Sequence, residues 1–219
     1  MMKLFSCLLD LLFPPKCVLC RCFLSREETD ICHRCRQNTP EPEKSKFRLS
    51  FVAGWTGLWY YKDDVRNSLI RYKFNGLRCY GPVYGRALAM HLRQKGFAET
   101  DVLTFVPVAP LRRLSRGYDQ VELLSDAVGK ELGIPSVRTL RKIRNTPPQS
   151  GFKDISRRRA NVLGVYAITD PNLVRGKRIL LLDDVITTGA TASECARVLL
   201  TAGAKEVFCA AIAVANHDK

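Results

Sequence analysis

Residues 178–191 read RILLLDDVITTGAT, and the architecture follows from this stretch. Four apolar residues in a row, Ile179 to Leu182, belong in the centre of a sheet. Two carboxylates, Asp183 and Asp184, follow at the carboxyl end of that strand, where open α/β sheets bind ligands. Thr187, Thr188, Gly189, Ala190 and Thr191 then form a turn of small residues that opens a helix. Small side chains let backbone N–H groups close on an anion, and the helix N-terminus adds a favourable potential. The segment therefore offers donors for a phosphate beside acceptors for sugar hydroxyls. The plainer alternative is a strand that merely ends in acids and a helix capped by Thr188. A magnesium-binding strand of a P-loop nucleotidase would need G-x-x-x-x-G-K-[ST] upstream. Gly129-Lys130 and Gly176-Lys177 are followed by Glu131 and Arg178 and lack the glycine spacing, so that class is excluded.

Outward from this stretch, strands and helices alternate. Residues 51–61, FVAGWTGLWYY, read as strand. Asp64 to Phe74 reads as a helix ended by Asn75-Gly76, and Pro82 to Gln94 as another. Val102 to Val108 reads as a short buried strand ended by prolines. Asp119 to Leu132 reads as a helix with Val121, Leu124 and Val128 on one face and Gly133 as its stop. Residues 141–160 carry seven Lys/Arg against one acid, with Pro147-Pro148 and Gly151, and read as a mobile basic loop. Asn161 to Ile168 reads as strand, about 190–202 as helix and Val207 to Val214 as a last strand. This order predicts an α/β fold, a parallel sheet covered on both faces.

LLLDDVITTGAT resembles the 5-phosphoribosyl pyrophosphate (PRPP) signature of type I phosphoribosyltransferases: hydrophobic strand, acidic pair, then TTG-x-T. The resemblance implies that Asp183 and Asp184 hold the ribose hydroxyls. It implies that Thr187, Thr188, Gly189, Ala190 and Thr191 wrap the 5′-phosphate, with Mg2+ accompanying PRPP. More narrowly, the chain resembles the ComF family, the competence-protein branch of that fold. The resemblance is carried by FPPKCVLC (Phe13 to Cys20), I-C-x-x-C at Cys32 and Cys35, and Y-K-F-N-G (Tyr72 to Gly76). VPVAPLRRLSRGYDQ (Val106 to Gln120) and R-x-x-N-V (Arg158 to Val162) extend it. The family usually has Asn where this chain has Asp119, so no ligand role is carried onto that residue.

Arg112, Arg113 and Arg116 are spaced for one another before Gly117 breaks the run. A guanidinium fork suits phosphate oxygens. By resemblance, Arg112, Arg116 and Gly117 belong to a pyrophosphate loop; a solvated basic turn is the alternative. Residues 141–160 resemble the flexible catalytic loop of the class, with Arg144, Lys153 and Arg157 as candidates to neutralise departing pyrophosphate. Residues 51–96 are expected to build the hood that selects an acceptor, and nothing there names a nucleobase. His33, His91 and His217 lie outside the PRPP motif, so no catalytic base is evident.

The chain holds nine cysteines. Cys17-x-x-Cys20 and Cys32-x-x-Cys35 are eleven residues apart and suit a tetrahedral structural Zn2+, with Cys22 a possible replacement ligand. Cys7, Cys79, Cys195 and Cys209 read as core residues or incidental thiols. The predicted layout is an N-terminal helix and four-Cys zinc module at 1–40, a linker at 41–50 and a phosphoribosyltransferase-like domain at 51–219. Leu4 to Phe13 is too short for a membrane span and reads as an amphipathic helix. The expectation is a cytoplasmic protein with no stable membrane span, with membrane-peripheral attachment left open.

The net charge is +14 (35 Lys+Arg, 21 Asp+Glu), which favours polyanionic partners. Trp55, Trp59, Tyr60, Tyr61, Tyr72, Phe74, Tyr80 and Tyr84 interleave with Lys62, Arg66, Arg71, Lys73, Arg78 and Arg86. Exposed, such a set would bind single-stranded nucleic acid; buried, it would pack the hood. Two functions stand. The resemblance implies a PRPP-binding factor of natural transformation that handles incoming single-stranded DNA, with DNA-translocation or recombination machinery as further partners. The alternative is a phosphoribosyltransferase acting on an undetermined acceptor.

Overall fold

The computed structural model describes residues 14–42, 49–144 and 162–215. Its principal sheet has the order β1-β6-β5-β2, with every neighbouring pair parallel: β1 is Gly54–Tyr60, β2 Val102–Phe105, β5 Arg178–Ile186 and β6 Glu206–Val214. A separate hairpin pairs β3 (Leu140–Lys142) antiparallel to β4 (Tyr166–Ile168). The helices are α1 (His33–Asn38), α2 (Asp63–Phe74), α3 (Tyr80–Gln94), α4 (Pro110–Arg116), α5 (Gln120–Leu132) and α6 (Ala190–Thr201). None of the described helices is long and apolar enough to cross a membrane.

The sheet is buried on both faces, as its apolar strands require. Leu180 and Leu182 of β5 join Ala210 and Ile212 in a core shared with Leu69, Leu88 and Leu124 of α2, α3 and α5. Ile179 and Leu181 join Cys209 and Ala211 in a second core, closed by Cys195 and Leu199 of α6 and by Leu140 and Tyr166 of the hairpin. On the first face α3 and α5 touch closely: a Cβ on Gly85 would lie 2.4 Å from the Cβ of Ala127.

Several elements differ from expectation. β5 does not stop at Leu182. Its ladder to β6 runs on through Asp183↔Ala211 to Ile186↔Val214, because the neighbouring strand stays apolar to its end. β2 is shorter than 102–108: Val106 N–H still donates to Leu182 C=O at 2.9 Å, but Pro107 has no N–H to continue. The arginine run lies not on a loop but on α4, opened by Pro110 in its first turn and closed by Gly117 at φ 73°. Residues 51–96, expected to build the hood, supply edge strand β1 and helices α2 and α3, which pack into the first core. Of the expected basic loop, Arg141 and Lys142 lie in β3, and 145–161 fall outside the described residues, with Lys153 and Arg157 among them. The strand expected at 161–168 is β4 alone.

The cysteine module is not a free appendage. Cys17, Val18, Leu19 and Ile31 belong to the first core. Ser68 Oγ donates to Val18 C=O at 2.5 Å, and Arg71 donates to Val18 and Leu19 C=O at 3.1 and 2.5 Å. Arg86 of α3 grips the Asp30 carboxylate. The expected linker is pinned at both ends: Glu41 pairs with Lys95 at 2.8 Å, Leu49 is buried and Ser50 N–H donates to Ser193 Oγ. Residues 43–48, the N-terminal segment with Leu4 to Phe13 and Cys7, and His217 fall outside the described residues.

Candidate functional site

A cavity of about 360 Å³ opens at the carboxyl ends of β2 and β5. Asp183, Asp184, Thr187 and Thr191 line it together with Arg112 and Arg116 of α4. The acidic pair and the arginines, about 70 positions apart in sequence, are thus brought together.

The two carboxylates are not equivalent. Strand alternation sends successive side chains to opposite faces. Asp184 lies on the face of α2 and α5. Lys73 Nζ donates to its Oδ1 at 2.9 Å, and Gln120 Nε2 donates to its Oδ2 at 2.8 Å. Asp183 lies on the face of α6 and the hairpin and accepts from the Asp184 N–H at 2.8 Å. Burial, and then the Asp184 charge, push Asp183 up to about 8. Burial likewise lowers Arg116, and lowers Lys142 with help from the Arg112 charge.

The turn after β5 resolves the alternative in which Thr188 caps a helix. The N-cap of α6 is Gly189, at φ 72°, with no side-chain cap bond. Thr188 Oγ1 is instead buried with no hydrogen-bond partner among the described residues. Of the expected turn residues, Thr188 alone lines neither the cavity nor the recess beside it. The turn residues Thr187, Gly189, Ala190 and Thr191 surround a small adjoining recess beside Asp183.

Not every residue of the arginine run faces the cavity. Arg113 turns away to Glu122 at 3.4 Å. Gly117 ends α4 and its C=O accepts from Arg78; it is not part of the cavity wall. Asp119 is buried and caps α5, accepting from Val121 and Glu122 N–H at 3.0 and 3.3 Å and from Val108 N–H at 3.2 Å. An acid suits that position because it faces a helix N-terminus. Arg144 is exposed beside Gly164 at the foot of the hairpin. His33 is exposed, whereas His91 is buried with Nε2 2.8 Å from Thr56 Oγ1.

Among the polar residues that line the cavity, Lys73, Gln120, Lys142 and Tyr166 are not among the expected ligand-binding residues. Lys73 and Gln120 lay within segments that carried the family resemblance, but their role depends on a meeting of α2, α5 and β5 that no local pattern encodes. Lys142 and Tyr166 are cross-strand partners on the hairpin, with the ammonium 5.9 Å from the ring. The aromatic series divides: Trp59, Tyr72 and Tyr84 are buried in the first core, while Phe74 is 66% exposed beneath the Arg116 guanidinium, 4.7 Å from its ring.

At the other end of α2, the thiols of Cys17, Cys20, Cys32 and Cys35 all lie within 4.8 Å of one another. A Zn–S bond of ~2.3 Å gives a tetrahedral edge of about 3.8 Å, and Cys20 and Cys32 are 3.7 Å apart. The donor set fits structural zinc. Arg21 N–H donates to Cys17 C=O and closes the first turn, and Val18 N–H donates to Asp30 C=O and ties the two cysteine segments together. Cys22 Sγ sits 3.3 Å from Cys20 on the exposed side, outside the four. Burial raises Cys20, but the Cys22 N–H and neighbouring thiols together hold it at about 6, ready to ionise as a metal ligand must. Cys195 and Cys209 are core residues whose thiols burial pushes up, and Cys79 is exposed.

Comparison with known proteins matches this division. The phosphoribosyl transferase domain family matches residues 121–219, and the double zinc ribbon domain family matches residues 8–46. Competence protein F of Haemophilus influenzae is 33% identical over 104 residues, 47% of this chain and 45% of that protein. Competence protein ComFC of Streptococcus pneumoniae is 32% identical over 154 residues, 68% of this chain and 63% of that protein. DNA utilization protein YhgH of Escherichia coli O157:H7 is 31% identical over 177 residues, 80% of this chain and 74% of that protein. The chain therefore spans about half the length of the first of these relatives and under two thirds of the second.

Proposed function

This chain belongs to the ComF family, a phosphoribosyltransferase fold joined to a four-cysteine zinc module, and from that premise we propose that it binds PRPP with magnesium and serves natural transformation by handling single-stranded DNA. One observation carries the PRPP reading: an acidic pair, Thr187 and Thr191 of the small-residue turn after it, and two arginines from about 70 positions away in sequence line one cavity. In this reading the turn takes the 5′-phosphate, the aspartates accept from the ribose hydroxyls, and Arg112 and Arg116 meet the diphosphate. Magnesium would arrive with the ligand and neutralise diphosphate oxygens; carboxylates are the hard donors it prefers.

The DNA reading draws on the names of the relatives, the net charge of +14 and an exposed Phe74 beside Arg116, a surface that can stack a base and meet a phosphate. The burial of Trp59, Tyr72 and Tyr84 confines that surface to fewer rings than the sequence offered. A transferase would use the same cavity, with pyrophosphate released when an acceptor is supplied.

Calorimetric titration with PRPP and magnesium tests the first part. Binding is expected for the native chain and is lost in the Asp183→Asn/Asp184→Asn double variant; a native chain that gives no heat with PRPP refutes it. Gel-shift affinity for single-stranded DNA is expected to fall steeply as salt rises; affinity indifferent to salt refutes the second part.

A further inference from the structure

We propose that Lys73 is a positioning residue for the ligand cavity: together with Gln120 it clamps both oxygens of Asp184 and so holds that carboxylate in register for a sugar diol. The inference rests on the PRPP reading and adds to it a residue outside the signature segment.

The argument is geometric. The direction in which a carboxylate presents its oxygens to a cavity is set by the donors that hold it. Asp184 has two, from two different helices: Lys73 near the C-terminus of α2 at 2.9 Å and Gln120 at the N-terminus of α5 at 2.8 Å. The lysine and aspartate side chains are only 17% and 11% exposed, so the pair is little screened by solvent. Each donor is itself held. Tyr72 OH donates to Gln120 C=O at 2.7 Å, locking the residue beside Lys73 to α5. Tyr118 OH donates to Tyr72 C=O from the opposite direction. Arg116 Nη1 donates to Gln120 Oε1 at 2.8 Å, which orients the amide with its Nε2 toward Asp184. The clamp therefore runs from Arg116 of α4 through Gln120 to Asp184 and Lys73. A carboxylate has about four lone-pair sites, so two bound donors leave acceptor capacity directed by the clamp.

Lys73 also lines the cavity, so direct contact with the diphosphate is the competing role. Two ligands separate the two roles. Ribose 5-phosphate has the diol but no diphosphate; PRPP has both. Titrations with each, in the presence of magnesium, use native protein and the variants Lys73→Met, Lys73→Arg, Asp184→Asn and Lys73→Met/Asp184→Asn. Thermal unfolding of each variant identifies any that fail to fold.

The positioning role predicts that Lys73→Met weakens both ligands by a similar factor of about ten, that Lys73→Arg restores most of the loss, and that Lys73→Met costs little more once Asp184 is Asn. A loss confined to PRPP, or a Lys73→Met effect that persists in full in the Asp184→Asn background, overturns it. Should Lys73→Met fail to fold, Gln120→Leu takes its place, with the same non-additivity against Asp184→Asn required. Failure of the native chain to bind either ligand defeats the PRPP reading itself. Native binding with an indifferent Lys73→Met defeats this inference alone.

Discussion

Asp183 and Asp184 are adjacent in sequence, yet strand geometry gives them opposite surroundings. Asp184 meets a lysine and an amide; Asp183 meets the packed side of α6, where burial and its neighbour's charge push it up to about 8. Folding therefore makes Asp183 hold its proton more tightly than the ordinary value of 3.8. As pH rises, the unfolded chain loses this proton first, so the stabilisation is whole below about pH 4 and lost as pH climbs through about 8. The melting temperature without ligand is expected to fall across that window, and Asp183→Asn to flatten the fall, in scanning fluorimetry at stepped pH. Asp119 shows a different use of an acid. Its carboxylate is spent on the first turn of α5 and on Val108 N–H. Asp119→Asn, which keeps a capping oxygen, is expected to unfold within a degree or two of native, whereas Asp119→Ala costs about 1 kcal/mol.

At the scale of elements, the sequence was most legible where periodicity or punctuation was strong. α5 is bounded where Asp119 and Gly133 put it, and Val121, Leu124 and Val128 are buried as its spacing required. β5 was placed but cut short, because Asp183-Asp184 looks like an end in one dimension and is only the rim of a ladder that β6 continues. α4 is not legible as a helix, because none of its residues is buried and there is no apolar stripe to read. β1 is readable as a strand from its aromatic residues, but its place beside β6 is a non-local fact. The contact of α3 with α5 gives a test of packing. A Cβ at Gly85 meets Ala127 at 2.4 Å, and backbone atoms of that residue follow at 3.1 and 3.3 Å, so no side-chain rotation can make room. Gly85→Val is expected to cost about 2 kcal/mol or more, about 4–8 °C of melting temperature for a chain of this size, with the secondary structure retained by circular dichroism.

Across the whole molecule, α2 links the two functional ends. Ser68 and Arg71 hold the backbone of the first Cys-x-x-Cys turn, and Lys73, two residues past Arg71, holds Asp184. Stripping zinc with a chelator is therefore expected to lower the melting temperature and also to weaken PRPP binding in calorimetry, both recovered on adding zinc back. Unchanged PRPP affinity in metal-free, folded protein would count against the link. The four ligands themselves were readable from cysteine spacing alone; the reach of the module into the rest of the chain was not, because Val18 and Leu19 carry no signal of what covers them. That reach has a practical edge. Cys17, Val18, Leu19 and Ile31 are part of the first core, so a chain begun at Phe51 would leave a raw apolar wound around Leu69 and Tyr84. Anyone hoping to trim this protein to its sugar-phosphate half would find no seam to cut along.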